Sequence, residues 1–180
     1  MKKDSSNQGF TLVELMVTLA VVAVVISIAA PSFSQMIRDH RLITTANDFM
    51  GTLQLARSES IRRGVQVTLL PVDANNWSSG WDVFTDWNRS ELRNQAAGNT
   101  CAQNQSCFLV QQAALTNGVT IGTGGTLNNG IRFFPSGEMA SVNNALVNDT
   151  VTFCITGSIA RLVTLNSRGS SRVEIGNACP

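Results

Sequence analysis

The sequence predicts an α+β protein in which a long amino-terminal helix, transmembrane in its first half, packs on a carboxyl-terminal β-sheet domain. Three observations predict this fold class. A polar leader precedes a long apolar run, the run continues into residues with helical spacing, and the remainder alternates in short stretches between Gly/Asn-rich segments. We therefore divide the chain into a leader (residues 1–9), an apolar helix (10–30), a continuing amphipathic helix (31–64) and a β-rich domain (65–180).

The apolar run of residues 10–30 is long enough to cross a membrane. Its 21 residues make about 31 Å of helix, which is close to one hydrocarbon thickness. A secretory signal has a shorter apolar core and a small-residue cleavage site, which Ala29-Ala30 could imitate, but Pro31 follows directly. Lys2 and Lys3 predict a cytoplasmic leader and an external carboxyl end. A plain single-pass anchor is the simpler alternative.

Glu14 is the single charged residue in this run. A carboxylate inside a lipid-facing helix costs about 2.5–3.5 kcal/mol on insertion scales, so such residues usually have a function. Snorkelling explains it poorly, because Glu is short and Glu14 lies one turn inside the helix. The charge therefore favours contact with other helices over simple anchoring.

The motif Gly9-Phe10-Thr11-Leu12-Val13-Glu14 resembles the processing site of type IV prepilins. The resemblance implies that a membrane peptidase cuts after Gly9 and methylates the new amino terminus of Phe10. It also implies that Glu14 meets the amine of Phe10 in a neighbouring subunit and sets the register of a filament. The implied partners are the prepilin peptidase, the inner membrane and other pilins or pseudopilins.

The helix is expected to continue past the apolar run to Gly64, with Arg62 and Arg63 placed where cations suit a helix carboxyl terminus. Pro31 predicts a kink, because proline removes one backbone hydrogen bond and clashes with the preceding turn. We group Pro31 with Glu14 as a residue of filament assembly. Beyond it the apolar residues with helical spacing are Phe33, Met36, Ile37, Leu42, Ile43, Ala46, Phe49, Met50, Leu53, Leu55 and Ala56.

The rest of the chain is predicted to be β-structure. A turn is expected at Ser78-Ser79-Gly80, and surface loops at residues 122–130 and 141–149. The predicted strands are residues 65–70, 81–85, 107–111, 119–121, 131–134, 150–155, 160–165 and 172–175.

Three further motifs resemble the GspH/FimT group of minor pilins and pseudopilins: residues 56–64 before the first strand, 80–86, and 131–137. The resemblance implies a pilin-like fold, commonly with two small sheets. It implies a minor type IV pilin of the FimT/FimU kind, held in a Gram-negative inner membrane with a periplasmic carboxyl domain and then moved into a pilus. The implied role is support or priming of pilus assembly. A GspH-like minor pseudopilin of a type II secretion system is the alternative.

Four cysteines, Cys101, Cys107, Cys154 and Cys179, lie beyond the apolar run, and an even number in an exported domain indicates disulfides. Three pairings are possible. We favour Cys101–Cys107, which closes a short Asn/Gln-rich loop, and Cys154–Cys179, which pins the tail as the terminal disulfide of many pilins does. A zinc site is the weaker alternative, because the spacing is irregular and the single histidine, His40, lies in the helix.

Catalysis is not expected, and neither is a cofactor or a metal. The chain has no nucleophile elbow, phosphate-binding glycine loop or HExxH motif. Asp82 and Asp86 are interpreted as ordinary surface acids, with a calcium-binding pair as the alternative. Trp77, Trp81 and Trp87 are the one dense aromatic cluster; Trp81 and Trp77 are interpreted as core residues, and a stacking platform for sugars or bases is the alternative for the cluster.

A local excess of positive charge lies near the carboxyl end. Residues 160–180 contain three basic residues, Arg161, Arg168 and Arg172, and one acidic residue, Glu174. Without residues 1–9 the chain is formally neutral, so wholesale electrostatic binding is not implied. Arginines on a rigid turn can make bidentate contacts with phosphate, and Gly169 lets a backbone approach closely. We expect the Cys154–Cys179 link to hold this turn in place.

Some FimT-like pilins that bind DNA for natural transformation carry a Gly-Arg-x-Arg motif near this position. This chain reads Gly169-Ser170-Ser171-Arg172, so the first arginine is missing, and Arg168 stands one position before the glycine. Two hypotheses follow: weak, salt-sensitive binding of double-stranded DNA without sequence specificity, or arginines that serve solubility and pairing with neighbouring subunits. Arg93 and Arg132 are candidates for extending a DNA-binding patch.

Overall fold

One helix and nine strands form in the part of the chain that the structure describes. The computed structural model describes residues 9–180 except 94, 95, 97, 99, 103, 117, 144 and 146, and the side chain of Pro31. The predicted leader, residues 1–8, thus lies outside the described residues. Two compact units divide the chain, Met1–Ile37 and Arg38–Pro180.

The helix α1 runs from Leu12 to Arg63. Thr11 begins it, because its hydroxyl accepts the N–H of Glu14 at 3.2 Å and its carbonyl accepts the N–H of Leu15 at 3.1 Å. Gly64 ends it as predicted, with a φ of 66° in the left-handed region that closes helices. The backbone is helical at Pro31, and a kink there stays a prediction.

In the first unit, α1 is long and apolar enough to cross a membrane by length and composition. Its few hydroxyl side chains bond to its own backbone: Thr18 donates to the Leu15 carbonyl at 2.8 Å and Ser27 to the Val24 carbonyl at 2.7 Å. A hydroxyl bonded in this way needs no partner in lipid, so neither residue opposes insertion.

The second unit carries two antiparallel sheets, so the predicted α+β class is confirmed. The five-stranded sheet has the order β3-β2-β1-β5-β6, and the four-stranded sheet has the order β4-β7-β8-β9. The strands are β1 Gln66–Asp73, β2 Asn76–Asp86, β3 Phe108–Gln112, β4 Thr120–Thr123, β5 Ile131–Phe133, β6 Met139–Ser141, β7 Asn148–Cys154, β8 Ile159–Asn166 and β9 Ser171–Ala178.

A single core joins the second half of α1 to both sheets. The buried helix positions recur every three or four residues: Leu42, Ala46, Phe49, Leu53 and Ala56. The Phe49 ring meets Trp77, Trp81 and Phe153 edge-to-face at centroid distances of 5.7, 5.2 and 5.5 Å. The hydrophobic core cluster lies within the second unit, so this unit can fold on its own.

One predicted turn is misplaced, and one strand was not predicted. Residues 78–80 lie inside β2, and the turn before β2 is formed instead by Ala74 and Asn75, where Asn75 has a φ of 64°. The short strand β6 was not predicted, because three residues carry too little alternation to detect. The stacking platform is also wrong for Trp77 and Trp81, which are buried, whereas Trp87 is exposed.

Candidate functional site

The first candidate site is the start of α1, where Gly9 and Phe10 precede the capping residue Thr11. Both are exposed, so the predicted cleavage bond lies on an accessible stretch of backbone. Glu14 is also exposed and, among the described residues, makes no ion pair. Within the part of the chain that the structure describes, this carboxylate therefore has no cationic partner.

The cap gives Glu14 a second possible role that the sequence interpretation missed. Thr11 and Glu14 stand in the spacing of a capping box, in which the hydroxyl of the first residue bonds to the N–H of the fourth. In a full capping box the fourth side chain also reaches back to the first N–H. The signal Thr-x-x-Glu was visible in the sequence, so the role of Glu14 in starting the helix has to be separated from its role between subunits.

The second candidate site is the hairpin turn between β8 and β9, which carries Arg168 and Gly169. Asn166 closes this turn: its carbonyl accepts the N–H of Gly169 at 2.9 Å, and its side-chain oxygen accepts the N–H of Ser170 at 3.1 Å. The N–H of Met139 in β6 donates to the Ser167 carbonyl at 2.8 Å, which ties the turn to the other sheet. Arg168 itself is exposed.

Arg57 of α1 holds this turn from beneath, and sequence reasoning missed it. Its Nε donates to the Gly137 carbonyl at 3.0 Å, and its Nη2 donates to the Arg168 carbonyl at 3.1 Å. One turn along the helix, the Ser60 hydroxyl lies 3.1 Å from the Phe134 carbonyl. Hydrogen bonds from a charged donor are each worth about 1.5–3 kcal/mol. The helix thereby fastens the β5–β6 and β8–β9 turns together.

Gly169 serves this internal contact, which corrects its predicted role of admitting a ligand. The residue is buried with a φ of 78°, and a Cβ there would lie 2.2 Å from the Gly137 carbonyl oxygen and 3.0 Å from the Nε of Arg57. Both the left-handed backbone and the close approach require glycine. The backbone of Gly169 therefore faces the protein.

The three predicted DNA-binding arginines do not lie together. Residues paired across two strands share one face, so Arg172, paired with Thr164, is on the face opposite to Arg161, paired with Ile175. Arg161 is half-buried, with its Nε enclosed among protein atoms. Only Arg168 and Arg172 remain as an exposed pair on the hairpin.

Arg172 is already paired with Glu174, and this reduces the local positive charge. Its Nη2 lies 2.8 Å from Glu174 Oε1, and the Thr164 hydroxyl donates to Glu174 Oε2 at 3.2 Å. An ion pair this exposed contributes only about 0–1 kcal/mol, so a phosphate can replace it. A shallow cavity of about 270 Å³ adjoins the pair, lined by Thr164, Leu165, Asn166, Ser170, Ser171 and Arg172.

Both disulfides join the cysteines favoured from the sequence, with Cα–Cα distances of 5.1 Å for Cys101–Cys107 and 5.6 Å for Cys154–Cys179. The expectation that the Cys154–Cys179 link holds the arginine-bearing turn is wrong. Cys154 ends β7 at the opposite end of the sheet, because Asn148 at the start of β7 pairs with Asn166 beside the turn. The link instead pins the end of β9.

Asp82 and Asp86 are buried rather than surface acids, so the prediction for this pair is wrong. Asp86 accepts the N–H groups of Ser90 and Glu91 at 3.0 and 2.9 Å and the Gln66 amide at 3.1 Å. Asp82 pairs with Arg93 at 3.1 Å. Both carboxylates therefore brace the segment that follows β2. No cluster of three metal-ligating side chains occurs among the described residues.

Neither of the arginines suggested as extensions of a DNA-binding patch is available for that role. Arg132 is buried, pairs with Glu91 and lies over the Phe134 ring at 5.2 Å. Arg93 is engaged with Asp82. The sequence interpretation could not predict the two ion pairs, because Asp82 is 11 residues from Arg93 and Glu91 is 41 residues from Arg132.

Comparisons with known proteins agree with this geometry. Residues 45–169 match the family model described as type II transport protein GspH, and residues 4–30 match the prokaryotic N-terminal methylation motif. No curated protein matched the sequence.

Among solved structures, the type IV minor pilin FimU of Pseudomonas aeruginosa is similar with a TM-score of 0.54 and 19% identity, covering 77% of this chain and 100% of the FimU chain. The minor pseudopilin EpsH of the Vibrio cholerae type 2 secretion system is similar with a TM-score of 0.51 and 15% identity, covering 75% of this chain and 97% of its own. At these identities the likeness concerns the fold.

Proposed function

This chain belongs to the GspH family of minor pilins and pseudopilins, and we propose that it is a minor type IV pilin, cleaved after Gly9, methylated on Phe10 and assembled into a pilus. Its family and structural neighbours are filament proteins rather than enzymes. Before assembly it is anchored in the Gram-negative inner membrane with residues 38–180 in the periplasm.

One observation carries this proposal: Glu14 stands on an apolar, exposed helix whose described residues offer it no cation. Cleavage after Gly9 creates a new amine on Phe10. The carboxylate of one chain and the amine of the next neutralise each other in a filament core, where either charge alone is strongly disfavoured. The register of assembly follows from that pairing.

Processing is tested by mass spectrometry of the chain made with and without a prepilin peptidase. We expect loss of residues 1–9 and one added methyl group on Phe10, and we expect Gly9→Val to block both changes. An uncleaved chain in the presence of active peptidase would contradict the proposal.

Assembly is tested with Glu14→Gln, which keeps the capping geometry but lacks the charge. If the ion pair sets the register, this variant inserts into the membrane normally and is absent from sheared pili. Thr11→Val is the matched control, because it removes the hydroxyl of the cap and leaves the carboxylate. Normal incorporation of Glu14→Gln together with loss of Thr11→Val would assign Glu14 to capping alone.

A minor pseudopilin of a type II secretion system is the alternative, and its fold neighbours include one such protein. Deleting the chain separates the two functions. Loss of surface pili with normal protein secretion supports the pilin. Retained pili with failed secretion supports the pseudopilin. A priming role predicts that no pili form in the deletion strain, and the neighbouring pilins are those that crosslink to this chain in wild-type pili.

We propose binding of double-stranded DNA as a second function, favoured by the exposed Arg168, in a turn that Arg57 contacts, and the exposed Arg172 at the start of β9. Two phosphate contacts give weak binding without sequence specificity. Losing both should reduce the slope of log affinity against log salt by about 1.8.

The measurement is DNA retention by residues 38–180 at low and moderate salt. Arg168→Ala/Arg172→Ala should abolish the salt-sensitive part of binding. Arg41→Ala/Arg89→Asn, which makes the same change in net charge at two other exposed positions, should preserve it. Asn suits position 89 because its φ is 54°. Equal loss of DNA binding in both double variants would show that binding depends on the overall charge and not on Arg168 and Arg172.

A further inference from the structure

Strand β9 is the edge of the four-stranded sheet and, among the described strands, pairs only with β8. It spans eight residues, Ser171–Ala178, and contains no proline or lysine. Its ladder with β8 is regular from Ser171 to Ile175, and the register shifts only beyond that point. A long edge without such protection is a template for another strand.

The side chains of β9 are unusually exposed for a strand beside the core. Its β8 neighbours Val163 and Leu165 are buried. Val173 pairs directly with Val163 and shares its face, yet 38% of Val173 and 72% of Ile175 are exposed. The apolar face of this sheet thus continues to an edge where the described residues leave it uncovered.

The other face of β9 carries two opposite charges, Arg172 and Glu174. In an antiparallel pair of identical strands, residues that face each other lie on the same face, so each two-fold register is centred on one residue. Arg172 faces Glu174 of the other strand only when the register is centred on Val173. Centring on Arg172 or on Glu174 would place like charges opposite each other.

We propose that β9 pairs antiparallel with β9 of a second copy of this chain, centred on Val173. The pairing forms two Arg172–Glu174 contacts across the interface, covers Val173, and joins two four-stranded sheets into one eight-stranded sheet. The open edge, its apolar side chains and its self-complementary charges support this pairing independently of the pilus and DNA proposals.

Arg172 belongs both to the proposed DNA-binding surface and to the proposed β9–β9 interface. An Arg172 that faces Glu174 of a partner chain is less available to phosphate. If residues 38–180 also bind DNA, then DNA and self-association should compete.

The test measures association of residues 38–180 by sedimentation equilibrium over a wide range of protein concentration. Arg172→Glu and Glu174→Arg each place like charges opposite each other at two symmetric positions, and each should weaken association at least about tenfold. The double variant Arg172→Glu/Glu174→Arg is self-complementary again and should restore the wild-type dissociation constant. Arg168→Glu makes the same charge change outside the paired ladder and should alter association less than about threefold.

Hydrogen exchange gives a second readout, because pairing would protect those amides of residues 171–175 that point away from β8 as protein concentration rises. A monomer at every concentration would overturn the proposal. A dimer whose dissociation constant is the same in wild type and in the two single charge-reversal variants would also overturn it. Protection of β9 only in the presence of another pilin would also overturn self-pairing and assign this edge to a different subunit. Thermal unfolding of each variant monitors folding, and restoration by the double variant cannot arise from misfolding.

Discussion

The two units of this chain differ in where their apolar side chains lie. In residues 9–37 they are exposed around the whole helix, and Phe33 keeps 63% of its surface exposed. In residues 38–180 most large apolar side chains are enclosed, and Phe49 is fully buried between the sheets. The second unit therefore completes its own core, whereas the first can bury its surface only in lipid or among other helices.

The largest expected effect on the free energy of unfolding comes from truncating one phenylalanine in each unit and comparing the two variants. Phe49→Ala should lower the free energy of unfolding of the second unit by about 3–5 kcal/mol, because it leaves a cavity among Trp77, Trp81 and Phe153. Phe33→Ala should change it by less than about 0.5 kcal/mol. Tryptophan fluorescence of the full chain in detergent reports this unit, since all three tryptophans lie in it.

Comparable destabilisation by both variants would contradict the comparison, since it would mean that Phe33 contributes to the folded core. Membrane insertion supplies the complementary readout. Phe33→Ala should retain insertion, because a single truncation removes little of the apolar surface of α1.

The two disulfides sharpen the picture of a self-contained second unit. Cys154→Ala/Cys179→Ala opens a link across 25 residues and should cost about 3.5 kcal/mol in the chain-entropy model. Cys101→Ala/Cys107→Ala opens a link across 6 residues and should cost about 2.2 kcal/mol in that model. Urea unfolding of residues 38–180 measures both. The reverse order would show that contacts near one link, rather than loop length, decide its contribution.

Gly169 and Gly157 provide a matched pair for the contact beneath the arginine-bearing turn. Both have a φ of 78°, but a Cβ on Gly169 would meet the Gly137 carbonyl, whereas a Cβ on Gly157 meets nothing within 4 Å. Alanine carries the left-handed penalty of about 1–2 kcal/mol at either position, and overpacking should add about 1–3 kcal/mol at 169 alone. Equal losses of stability for Gly169→Ala and Gly157→Ala on thermal unfolding would mean that the turn shifts away from the Gly137 carbonyl at little cost.

Local patterns predicted most of this fold. The end of α1 at Gly64 and the strand positions from β3 to β5 follow from glycine placement and from alternation within a few residues. The turn before β2 was misplaced, because Ser78-Ser79-Gly80 gives a stronger local turn signal than Ala74-Asn75. Strand β2 nevertheless runs through residues 78–80, which lie in an irregularity of the β1–β2 ladder between the pairs Pro71–Trp81 and Asp73–Asn76.

The candidate site was less predictable than the fold, since its geometry depends on distant partners. Arg57 on an amphipathic helix reads as a solvated residue, yet its acceptors lie 80 and 111 residues further along the chain. Asp82 and Arg132 likewise have ion-pair partners that are distant in the sequence, Arg93 and Glu91. Arg161, Arg168 and Arg172 are close in sequence, but the alternation of β8 and β9 places Arg161 on the other face of the sheet.

The smallest expected effect concerns the two acidic residues at opposite ends of α1. Glu14 has no ion-pair partner among the described residues, whereas Glu59 accepts hydrogen bonds from Arg62 at 2.8 Å and from Arg63. The bond from Arg62, and then that from Arg63, lower the pKa of Glu59 below its ordinary value of 4.5, against the opposing effect of burial. A lowered folded-state pKa adds stability that is present above pH 4.5 and lost as the pH falls through the folded value. Glu59→Gln should therefore flatten the acid side of the stability profile of residues 38–180 and lower the plateau near neutral pH. An unchanged acid limb would show that carboxylates other than Glu59 carry the acid sensitivity of residues 38–180.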